Sequence, residues 1–163
     1  MIRPPRLGAV AVALLLSGGP ALAASTVGGP GALALAALAA ENSPTLASGD
    51  KHAIATLFSG SVNVAYPHGK KIAVGADKIV CRASNVDITQ HECDLTFGAK
   101  TVSLTGRKAH ELYATIAEIG VPPDGAMGTI YESLSQVTCT IDPDQIKQRA
   151  GGGANCSFTP GAG

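Results

Sequence analysis

The sequence predicts a small single α+β domain: an antiparallel sheet, made of a β-meander and a C-terminal hairpin, packed against two or three helices and tied by two disulfides. Three observations carry that expectation. Segments 78–84, 91–97 and 100–104 alternate apolar and polar residues in one shared register. Segment 105–119 repeats apolar residues at helical spacing. The four cysteines fall into two pairs, each bracketed by strand-like sequence.

The meander is the most constrained part. Placing Cys81 opposite Cys93 sets Ile79 opposite Leu95 and Ala83 opposite His91. Gly98-Ala99 then turns the chain, glycine first as a type II′ hairpin asks, and sets Leu95 against Val102 and Cys93 against Leu104. Ile79, Cys81, Cys93, Leu95, Phe97, Val102 and Leu104 all share one face, whereas a slip of one residue would scatter them. The other face carries Lys78, Arg82, Glu92, Asp94, Thr96, Thr101 and Ser103, a solvated set in which Arg82 faces Glu92. Shorter alternations predict strands at 62–66 and 71–74, the second ended by Gly75. A C-terminal hairpin of 137–141 with 155–159 sets Cys139 against Cys156 and Val137 against Phe158.

Helices follow from their caps and stripes. Ser48 caps a helix whose Asp50 suits the positive end of the dipole, and Ala53, Ile54, Leu57 and Phe58 form its inward face before Gly60 stops it. Ala109, Leu112, Ile116 and Ile119 make the buried stripe of a helix that opens at Thr105 or Gly106 and ends at Gly120. A further helix over 124–134 would turn Met127, Ile130, Tyr131 and Leu134 inward, although Gly125 and Gly128 weaken it.

The pairings Cys81–Cys93 and Cys139–Cys156 follow from the strand registers. A zinc site is disfavoured, because eleven and sixteen intervening residues do not supply the tight ligand pairs zinc uses. An even cysteine count suits an oxidising compartment, and the N-terminus points the same way. Arg3 and Arg6 precede the apolar run Leu7 to Leu16, then a Gly-Gly-Pro break and Ala21-Leu22-Ala23, the pattern of a cleaved signal peptide. Residues 1–23 are read as that peptide, with cleavage before Ala24 and a second small-residue site at Ala37-Leu38-Ala39. Residues 24–47 are read as a flexible Ala/Gly-rich leader, and 48–163 as the disulfide-bonded domain. The apolar stretch 27–40 has fourteen residues, short of the roughly 20 that span a bilayer, so no stable membrane insertion is expected after cleavage.

Composition narrows the function classes. Without Arg3 and Arg6 the chain keeps ten basic and twelve acidic residues, net −2, with no basic block of the kind a nucleic-acid footprint requires. Aromatics are 4% of the chain and tryptophan is absent, so stacking platforms are few. His110-Glu111 matches the first half of H-E-x-x-H, but position 114 is alanine, and the second histidine ligand is missing. His91-Glu92 cannot act together, since alternation sends the two side chains to opposite faces. Gly151-Gly152-Gly153 lacks the rest of a phosphate loop. Asp142-Pro143-Asp144 lacks the glycine and glutamate of a calcium loop and reads as a helix-starting turn. Nothing resembling G-x-S-x-G is complete, and no cofactor or metal is expected.

These readings favour a periplasmic or secreted non-enzymatic binding or inhibitory domain, with another envelope protein as its partner. The alternative is a small hydrolase-like envelope enzyme using His91 or His110 with a carboxylate. If the protein binds through loops, the two segments closed by the disulfides supply the contacts, through Val86 and Ile88 in one and Gln145, Ile146 and Lys147 in the other.

Overall fold

The computed structural model describes residues 24–61, 66–82, 87–119, 134–148 and 152–160. The chain runs through β1 (Ser25–Gly28), α1 (Gly29–Asn42), α2 (Ser48–Phe58), β2 (Ile72–Arg82), a 3-10 turn (Ile88–Gln90), β3 (Glu92–Phe97) and β4 (Lys100–Thr105). It continues through α3 (Arg107–Glu118), β5 (Leu134–Ile141), α4 (Pro143–Gln148) and β6 (Ala154–Pro160). The strands form one antiparallel sheet in the order β1-β6-β5-β2-β3-β4.

The meander holds the register that alternation demands. Cys81 faces Cys93, Ile79 faces Leu95, Leu95 faces Val102, and Cys93 faces Leu104. Gly98 takes a φ of +58° at the β3–β4 turn, a corner that other residues rarely adopt. Both cross-strand disulfides are formed, Cys81–Cys93 and Cys139–Cys156. Arg82 does stand opposite Glu92, yet its guanidinium lies 3.8 Å from Asp94 instead, an exposed diagonal pair of little energetic weight.

Two strands differ from expectation. Gly75 does not end a strand; β2 runs through it for eleven residues. The glycine is needed because β5 passes so close that a Cβ there would sit 2.1 Å from the carbonyl oxygen of Val137. Phe158 is opposed by Gln136 and Val137 together, in a bulge between the Ser135–Thr159 and Thr138–Ser157 pairs. Gln136 adopts a φ of 54° there. The expected strand residues 62–65 and helix residues 124–133 lie outside the described residues. Leu134, expected at that helix's end, instead opens β5 opposite Ile79 and is fully buried.

The largest correction concerns 24–47. Read as a flexible leader, this segment supplies β1, which pairs with β6, and α1, whose Ala32, Leu35, Ala36 and Ala39 are completely buried. Two properties of the sequence build α1. Alanine and leucine are the strongest helix formers, and Pro30 suits the first turn. The alanines also let the helix lie close on the sheet, with the Ala32 carbonyl oxygen 3.4 Å from Cys156 Sγ. α1 lies against β2, β5 and β6, α3 against β3 and β4, and α2 against α1. The sheet's opposite face carries the expected polar residues. There Ser103 donates to Asp94 at 2.6 Å, and Lys78 and Thr101 are exposed.

Candidate functional site

The helix layer forms a concavity between α2 and α3. α2 buries Ala53, Ile54 and Leu57, and α3 buries Ala109, Leu112 and Ile116. Residues about 100° round from these stripes face one another across the outer surface of α1. Lys51, His52, Ala55 and Phe58 form one wall, and His110, Glu111, Ala114, Thr115 and Glu118 the other. Ala37, Leu38 and Glu41 form the floor of a groove of about 810 Å³. Phe58, expected on the inward face of α2, is 55% exposed in this wall. It lies one helical step beyond Leu57, on the flank that turns toward α3.

The groove has two unlike ends. At one, the C-terminus of α1 meets the N-terminal turns of α2 and α3. Lys51 Nζ donates to the Glu41 carbonyl oxygen at 3.3 Å, and Lys108 Nζ to Glu41 Oε1 at 3.2 Å. Beside them Arg107 Nε donates to Glu111 Oε1 at 3.2 Å. The carboxylates at this end are thus matched by cations from outside the groove, while His52, His110 and Lys51 line it. Toward the other end the walls become Ala55, Ala114 and Phe58, a smooth apolar channel. Thr115, the hydroxyl in the wall, donates to the Glu111 carbonyl oxygen at 2.9 Å, a bond within its own helix. No histidine takes that proton.

Beneath the polar end sits a pair that the sequence kept apart. His91, which precedes β3, is 4% exposed, and its Nδ1 lies 3.3 Å from Nδ1 of His110 on α3. Tyr113 stacks edge-on against His91 with centroids 5.7 Å apart, and burial pushes its phenol above the ordinary value of 10.0. In that contact one imidazole nitrogen donates and the other accepts. Glu92 is exposed on the opposite face, as alternation requires. Periodicity alone cannot reveal this contact, because it depends on how α3 folds back over β3.

The proposed loop anchors are dispersed. Ile88 is 45% exposed on the 3-10 turn, which Asp87 caps by accepting from the Thr89 amide at 2.8 Å. Val86 lies outside the described residues. Gln145 is exposed on α4, whereas Ile146 packs against the core and Lys147 is half-buried. The two loops leave opposite ends of the sheet, separated by the length of β2, roughly 33 Å for ten steps. Asp142 caps α4 by accepting from the Gln145 amide at 3.2 Å, confirming the helix-starting turn. Asp144 instead anchors the 67–70 turn, accepting from the Gly69 amide at 2.9 Å with His68 Nδ1 3.1 Å away.

Comparison with family models, curated proteins and solved structures finds no match. The geometry must carry the functional reading alone. Among the described residues no three His, Cys, Asp or Glu side chains are grouped to hold a metal ion, and no described helix is long and apolar enough to cross a membrane. Both disulfides fit a compartment outside the reducing cytoplasm.

Proposed function

We propose that this is an exported, periplasmic or secreted binding domain whose ligand seats in the groove of the helix layer. The observation that carries the reading is the groove itself, an apolar channel with polar groups gathered at one end. This is the usual composition of a site that orients a ligand by a few contacts and holds it by burial. Its volume falls within the range of about 300–1,000 Å³ found for small-ligand pockets.

A small hydrolase is the second reading, favoured by the meeting of His52, His110 and several carboxylates in the same groove. A hydrolase that works through a covalent intermediate needs a side-chain nucleophile within reach of its base. Thr115 spends its hydroxyl on a helix carbonyl, which favours binding. An envelope-protein partner remains compatible with the groove if it inserts an apolar segment there.

Nile red titration tests the binding reading. The dye should brighten on the oxidised protein, and Ala55→Trp with Ala114→Trp should abolish this by filling the channel while the melting temperature holds. Unchanged dye binding in the filled variant would refute the groove as the seat.

A further inference from the structure

We propose that the groove takes a medium-chain monocarboxylate, its carboxylate at the Lys51–His52–His110 end and its chain running over Ala55 and Ala114 to Phe58. This rests on the groove reading above and adds the identity of the ligand.

Charge complementarity chooses the head group. The acidic side chains at the polar end are already occupied. Glu41 holds Lys108 and Glu111 holds Arg107, each at 3.2 Å. Lys51, by contrast, contacts a neutral partner, the Glu41 carbonyl oxygen. His52 lines the same end, and with Nδ1 of His110 directed at His91, Nε2 of His110 is the nitrogen left to address a ligand. One ammonium and two imidazoles thus meet the incoming head, a donor set suited to an anion. A cationic head would meet Lys51 and have to displace Lys108 or Arg107 from its carboxylate.

The opposite end sets the direction. Glu118, in the last turn of α3, stands at that rim and repels an anion, so the chain must enter with its methyl end toward Phe58. Length then limits the chain. From Lys51 to Phe58 and from His110 to Glu118 the helices advance about 10–12 Å, which an extended chain of about eight to ten carbons fills. Ala37, Ala55 and Ala114 present only methyl groups along its path, and Phe58 supplies an apolar surface at the far end.

The test compares three probes of equal chain length below their micelle concentrations, decanoate, 1-decanol and decyltrimethylammonium, by displacement of Nile red from the oxidised protein. Decanoate should bind about tenfold tighter than the ammonium amphiphile, with decanol between them. From hexanoate to decanoate affinity should rise about twofold per methylene, since one flank of the chain stays in water, and then level off. Lys51→Gln with His52→Gln should lower decanoate to the affinity of decanol and leave decanol and the melting temperature unchanged. Equal binding of all three probes, abolished by the groove-filling tryptophans, would overturn the carboxylate assignment while the groove reading survives. Tighter binding of the ammonium probe would do the same. No binding by any of them would overturn both.

Discussion

Leu35→Ala tests whether residues 29–42 belong to the folded core. Leu35 is completely buried in α1, and removing a buried leucine side chain costs about 2–5 kcal/mol, depending on how far the cavity collapses. Alanine is at least as good a helix former as leucine, so the loss reports packing rather than helicity. Taking about 3 kcal/mol against the 5–15 kcal/mol typical of a domain, and about 3 °C per kcal/mol at this size, melting should fall by about 10 °C. Urea unfolding of the oxidised protein, followed by far-UV circular dichroism, measures it. The midpoint should fall with an unchanged slope. Ala36→Leu, at a completely buried position, approaches the same interface from the other side and should cost about 1–3 kcal/mol by overpacking. Ile88→Ala, at an exposed position, should stay within about 0.5 kcal/mol. If Leu35→Ala behaved like Ile88→Ala, α1 would not be docked, and the floor of the groove would disappear with it.

The joint between β2 and β5 should tolerate no side chain at Gly75: Gly75→Ala drives a Cβ into a backbone oxygen and should cost at least about 2 kcal/mol in the same assay, and wild-type stability would disprove the close approach. Replacing Cys139 and Cys156 together by alanine should remove about 3 kcal/mol, the value for a loop of this length, and non-reducing peptide mapping of the unsubstituted protein should return only the 81–93 and 139–156 pairs. Stability should also fall at both pH extremes. Asp50 is held below its ordinary value of 3.8, chiefly by the Tyr66 hydroxyl, and Asp144 likewise by the Gly69 amide. Their contribution is complete above that value and is lost as the pH falls below it. Tyr66 is held above 10.0 by burial and by its bond to Asp50, so its contribution is lost as the pH rises past that value. Tyr66→Phe should soften both limbs of a melting-temperature profile, and an unaltered profile would refute the link.

The meander and both disulfides were legible because period-two alternation and cysteine position each specify register, and the two agree at Cys81–Cys93. The α3 stripe was legible for the same kind of reason. α1 was not, because Ala and Leu surround it on every side. A helix without a polar face has no stripe to detect, and its uniform apolarity is itself the mark of burial. Gly75 was misread because a glycine that permits close approach and one that ends a strand look alike in one dimension. The candidate site was legible only in part. His110-Glu111 stood out as a dipeptide, but its neighbours His52, Glu41 and Phe58 come from two other helices, and no local spacing relates them.

The positions of the cross-links explain why the groove depends on the segment hardest to read. One disulfide joins β2 to β3 and the other β5 to β6, so oxidation produces two stapled hairpins, with no covalent tie across the β2–β5 seam. That seam also contains Gly75 and lies beside the bulge at Gln136. α1 is the element that spans it, contacting β2, β5 and β6 together. α2 then rests on α1, and α3 braces it from the first hairpin, where Cys93 Sγ lies 3.5 Å from the Ala109 carbonyl oxygen. One wall of the groove, α3, therefore rests on the first hairpin and the other, α2, is α1's own continuation, and they meet across α1. α1 docks on that seam by one side and floors the groove with the other, which is why a buried leucine on the inner side of α1 should govern binding on its outer side.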